Sequence, residues 1–129
     1  MTRTYVLPGI AVIALSLFTY AATNAFAQGI PDGSYSGAMS DGNRQVRVDA
    51  QFANQSVSLH FGEPYRCRLS AIQSGTTSEG ILYIFGPAPN GGAFCERLEN
   101  MALTVKMSAS SAIVSFVQRG VQWSGNLDK

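Results

Sequence analysis

Along most of the chain, apolar and polar residues alternate with a period of two. In QVRVDAQF, Val46, Val48, Ala50 and Phe52 interleave with Gln45, Arg47, Asp49 and Gln51 without a miss. A strand sends successive side chains to opposite faces, so this pattern predicts one buried and one wet face. VSLHF repeats it after the polar turn Ala53–Ser56, with Val57, Leu59 and Phe61 inward and Ser58 and His60 outward. Gly62-Glu63-Pro64 then breaks the chain, since glycine permits a bend and proline removes a ladder donor. Beyond the break Tyr65, Cys67, Leu69 and Ala71 share one face, opposite Arg66, Arg68 and Ser70.

In the second half QSGTTSEG reads as a polar loop, ILYIF, a continuous apolar run, as a fifth, central strand and GPAPNGGA as an irregular segment. FCERLEN fits either a helical turn or the start of a strand. ENMALTVKM, AIVSFVQ and VQWSGNL supply three further strands, the last entered through a tight turn at Arg119-Gly120. The first strand, GSYSGAM, and the last, QWSGNL, share the order aromatic-Ser-Gly-x-apolar. Gly37 and Gly125 are thereby predicted on the inward face, where a missing side chain allows the bends that close a small barrel. The sum is an all-β fold, a small antiparallel meander of seven to eight strands without a long helix. A barrel is favoured over a two-sheet sandwich, because closure removes exposed strand edges.

The ends change the picture. Arg3, the apolar run from Tyr5 to Ala22 interrupted by Pro8-Gly9, and Ala25-Phe26-Ala27 together read as a signal peptide over residues 1–27. The uninterrupted apolar part is shorter than the ~20 residues of a spanning helix. The expectation is a single exported β-domain over 28–129, periplasmic or secreted, with no membrane attachment after cleavage. Export bears on the two cysteines, because bridges persist in oxidising compartments. Cys67 sits on the apolar face of its strand, and VSLHFGEPYRCRL and LYIFGPAPNGGAFCERL run through similar landmarks to their cysteines. One Cys67–Cys95 disulfide is expected, stabilising by roughly 3–4 kcal/mol on the chain-entropy account.

Charge and chemistry narrow the function. Removing Arg3 from nine Lys and Arg leaves eight bases against eight acids, so no net field draws nucleic acid or an anionic membrane. His60 is the sole histidine and alternation turns it away from Cys67, which argues against a Cys-His dyad. No G-x-S-x-G elbow is present, and neither a zinc set nor a full calcium loop can be assembled, Asp41, Asn43 and Asp49 lacking the further acids. The expectation is therefore no catalysis, no metal and no cofactor. Two surfaces stand out for binding. Arg47, His60, Arg66 and Arg68 are predicted on one outer face, suited either to plain solvation or to an anionic partner through arginine–carboxylate or arginine–phosphate pairs. The loop Gly86–Ala93, with Pro87, Pro89 and Asn90, could reach a partner's cleft while a bridge at Cys95 holds its base. The function expected is binding to a cell-envelope protein, such as a hydrolase that it inhibits or neutralises. The alternatives are a small-ligand carrier, its interior lined by Tyr35, Phe52, Phe61, Tyr83 and Trp123, and an enzyme of unknown class.

Overall fold

A computed structural model of the protein describes residues 30–129; the leader expected over residues 1–27 lies outside the described residues. Eight strands follow in chain order: β1 (Gly33–Ser40), β2 (Gln45–Ala53), β3 (Ser56–Phe61), β4 (Cys67–Thr77), β5 (Gly80–Phe85), β6 (Ala102–Ser108), β7 (Ser111–Gln118) and β8 (Val121–Asp128). Each pairs antiparallel with the next, and β1 pairs with β8, so the meander closes into a barrel. A short helix, α1 (Gly92–Glu96), interrupts the β5–β6 connection.

The period-two pattern decides which side faces in. β2 alternates exposed and buried along Gln45–Phe52, the first half of β4 does the same, and in β3 the buried residues alternate with half-buried Ser56 and Ser58 and exposed His60. An eight-stranded barrel is just wide enough to be filled by side chains. Here Met39, Leu59, Leu69, Leu103, Val114 and Leu127 join the aromatics in doing so, all essentially inaccessible to water.

Closure falls where the paired Ser-Gly motifs predict. Gly37 lies opposite Leu127, and Gly125 opposite Met39, in the β1–β8 ladder. A Cβ on Gly37 would run into the Asn126 carbonyl oxygen, and one on Gly125 into the Ala38 carbonyl oxygen. The seam can close this tightly only because neither residue has a side chain.

One expectation is corrected. QSGTTSEG is not a loop: β4 runs on to Thr77, β5 begins at Gly80, and only Ser78 and Glu79 turn between them. The register shifts between Gln73 and Gly75, so a bulge interrupts the alternation. Beyond it Ser74, Thr76 and Thr77 are all exposed, and polarity no longer separates strand from loop. The helical option for FCERLEN is the one realised, through α1. The two cysteine-bearing segments are consequently not equivalent units, since Cys67 opens a strand and Cys95 lies in a helix.

In an up-and-down barrel, alternate connections fall at the same end. β2–β3, β4–β5 and β6–β7 are joined at one end by two-residue links, including Asn54–Gln55 with both residues at positive φ. Positive φ at both central positions is the type I′ geometry that suits strand twist. The opposite end carries β1–β2 (Asp41–Arg44), β3–β4 (Gly62–Arg66, containing the cis Glu63–Pro64 peptide), β5–β6 (Gly86–Met101) and β7–β8 (Arg119–Gly120). That end is capped by α1.

Candidate functional site at the capped end

The cap is built downward from α1. Phe94 and Cys95 on its buried side face the barrel mouth. Cys95 bridges to Cys67 at the start of β4, with a Cα–Cα distance of 6.3 Å. Gln118, the one polar residue among those described that is buried as a whole, donates from Nε2 to the Phe94 carbonyl at 2.8 Å. Glu99 reaches back so that its carboxylate accepts the Ala88 backbone N–H at 2.6 Å. Backbone outside a ladder must find other partners, and these bonds supply them.

Beneath α1 the rings form a continuous cluster. Phe94 meets Phe61 edge-on at 5.1 Å and Trp123 at 5.4 Å, while Tyr65 stacks on Phe94 at 3.9 Å. Edge-to-face and offset contacts of this kind are worth about 0.5–1.5 kcal/mol each beyond the area they bury. Tyr65 is half-buried, so its ring is part of the wall of a recess of about 510 Å³.

Three guanidinium groups rim that recess: Arg44, Arg97 and Arg119. They come from three separate connections, and no carboxylate lines the recess with them. Arg44 is held from two sides. Its Nε and Nη2 donate to the Asp41 carboxylate at 3.2 and 3.0 Å, and the guanidinium lies 5.7 Å from the centre of the Trp123 ring. Asp41 also accepts the backbone N–H groups of Arg44 and Asn43. Those backbone donors, then the Arg44 side chain, hold the Asp41 carboxyl below the usual carboxylate range. The same pairing raises Arg44 above its ordinary value, so it stays charged. Among the described residues the ion pairs are Arg44–Asp41 and Arg66–Glu63, which leaves Arg97 and Arg119 without a carboxylate.

The residues singled out from the sequence are split by the fold. His60 lies opposite both Asp49 and Arg68 in the β2–β3 and β3–β4 ladders, so His60 and Arg68 do share an outer face. They border a more open depression of about 710 Å³ that also includes Asp49 and Asp128, so its charge is mixed. Arg47 is two positions along β2 from Asp49, on the same exposed side but outside this depression. Arg66 is not on β4 at all. It sits in the β3–β4 turn at φ 49° and pairs with Glu63 at 2.9 Å. Pro87, Pro89 and Asn90 are exposed on the β5–β6 connection, whereas Ala88 between the prolines is buried. Tyr35, Phe52, Phe61, Tyr83 and Trp123 all point into the barrel and are 0–2% exposed. They pack on neighbouring rings, Tyr35 on Phe52 at 5.4 Å and Phe52 on Tyr83 at 6.1 Å, and occupy the space themselves.

Arg44, Arg97 and Arg119 were missed because alternation describes strands, and all three lie in connections. A signal was present. Counting turns in an up-and-down meander places the first, third, fifth and seventh at one end, and each of those four contains an arginine: Arg44, Arg66, Arg97 and Arg119. No protein-family model matches this chain, and neither a curated protein nor a solved structure does.

Proposed function

We propose that the protein is an exported binding module that uses the capped end of its barrel to engage an anionic surface of a cell-envelope protein, such as a hydrolase that it inhibits. The reading is carried by one observation: arginines from separate connections converge on a recess whose lining contains no acid, beside a helix bridged to β4 by Cys67–Cys95. Rigid scaffolds that present loops are the usual setting for recognition, because ordering costs are met in folding rather than in binding. The Cys67–Cys95 bridge is compatible with an oxidising compartment, which agrees with export.

The side face of Arg68 and His60 is the weaker surface on this reading, because Asp49 and Asp128 lie beside them. Affinity capture from the native envelope separates the two. Wild type, Arg97→Gln/Arg119→Asn and His60→Ala/Arg68→Ala serve as baits. The expected result is loss of the recovered partner with the first double variant and retention with the second. Equal recovery by all three would remove the capped end from consideration.

A further inference from the structure

The recess has a composition that points to a particular chemical class. Its charged side chains are all guanidinium, beside the Gln118 amide and the polar tips of Tyr65 and Trp123, while the Tyr65 ring, Ala93 and Val121 add apolar wall. Val121 is 41% exposed, although hydrophobic, and lies directly after the Arg119–Gly120 turn. Arg97 and Arg119, the two rim cations without a carboxylate partner, favour an anion, and the apolar wall beside them favours an anion carried on an apolar body.

Donor capacity is already arranged. A guanidinium carries five N–H donors in a planar fork that matches a carboxylate. Asp41 engages Nε and Nη2 of Arg44, so Nη1 remains available, and the Trp123 ring beneath keeps the group in place. Arg97 caps the C-terminal end of α1, and Cys95 anchors that helix to β4.

Arg119 has a backbone feature that the test below uses, one shared by Ala109 in the β6–β7 link at φ 56°. Arg119 occupies the first position of a two-residue hairpin at φ 54°, followed by Gly120 at φ 78°. Both residues have the positive φ that asparagine or glycine adopts with less strain than arginine. The turn is poorly served by this residue, while the recess gains a guanidinium from it.

We infer that the recess binds a carboxylate attached to an apolar body, with Arg97 and Arg119 forking the carboxylate and the apolar part lying against Tyr65 and Val121. This deepens the proposed reading of the capped end and rests on it. Two sources share that chemistry: the C-terminal residue of a partner polypeptide and a free organic acid.

Trp123 is the single tryptophan of the chain and lines the recess, so its fluorescence reports on occupancy. The purified protein is titrated with N-acetyl-phenylalanine, with its amide, and with 3-phenylpropionate, while the arginine Nε–H resonances are followed in parallel. N-acetyl-phenylalanine is expected to saturate, with the amide at least about tenfold weaker, since a charge-assisted pair is worth that much. Arg97→Gln and Arg119→Asn should each weaken it by about tenfold, and Lys106→Gln, away on β6, should not. Arg119→Asn suits the turn, so a loss of binding with an unchanged melting profile cannot be blamed on unfolding. Equal binding by 3-phenylpropionate supports the inference and identifies a free acid as the source; much weaker binding supports it and identifies a chain terminus. Equal response to the amide, or no saturation in either signal up to about 10 mM, overturns it. The titration needs no partner. If it fails while capture still depends on the arginines, the binding surface stands and the carboxylate recess falls.

Discussion

The two ends of the barrel are made from the same eight strands and held by different means. At the open end the strands are joined by two-residue links, and Tyr35, Phe52 and Tyr83 pack edge to face just inside. Ladder hydrogen bonds run almost to the turns, so little backbone is left to satisfy. At the capped end the connection Gly86–Met101 crosses the mouth, and its backbone cannot be paired by the ladder alone. It is held instead by a disulfide, a buried glutamine amide and a carboxylate on a backbone N–H. Strand pairing closes a barrel wherever links are short. A long connection has to be fastened separately, and once fastened it can present side chains in fixed positions.

The comparison is broken most strongly at the sulfurs. Cys67→Ser/Cys95→Ser opens a loop with a sequence separation of 28 and should lower unfolding free energy by roughly 3–4 kcal/mol in urea titrations. Amide exchange should accelerate across residues 86–100 more than at the Asn54–Gln55 turn. Uniform acceleration at both ends would show that the capped end is not separately fastened.

A smaller effect is expected at Gln118. Replacement by Leu keeps the bulk and leaves the Phe94 carbonyl without this donor, at a cost of about 1–2 kcal/mol. Asn54→Gly at the open end, where glycine accepts the positive φ, should stay within about 0.5 kcal/mol of wild type. Thermal melts of the two variants side by side test the contrast; equal losses would refute it.

The smallest expected effect depends on pH. The Asp41 carboxyl is lowered in the folded protein by backbone donors and by Arg44. Because the folded value lies below the unfolded one, the stability it adds is complete above the ordinary carboxylate pKa of about 3.9. That stability is lost as pH falls through the lower folded value. The melting-temperature gap between wild type and Asp41→Asn should therefore be constant from neutral pH down to about pH 5, then narrow below about pH 4. A gap that does not change over this range would detach Asp41 from the stability of the capped end.

How much of this could be read beforehand differs by region. Val46 to Phe52 and Val57 to Phe61 were legible because each residue there faces either a dry interior or water. Ser74 to Thr77 were not, since both sides of that strand are wet and a bulge shifts its register. Alternation places Arg66 on a strand face by running two residues too far, from Tyr65 on, into a turn that ends at Arg66 itself. Arg97 and Arg119 were invisible to any periodic test, because their neighbours in the recess are distant in sequence.

The sequence by itself determined the inward and outward sides of most strands, the glycines at the closing seam and the pairing of the two cysteines. Each of these follows from local period, residue size or composition, which need no knowledge of distant neighbours. Only the tertiary structure decided that four connections meet at one end, that a helix covers that mouth, and that three arginines face a common space there. Those facts depend on how far each strand runs before it turns and on how the first strand meets the last, which are properties of the closed barrel as a whole.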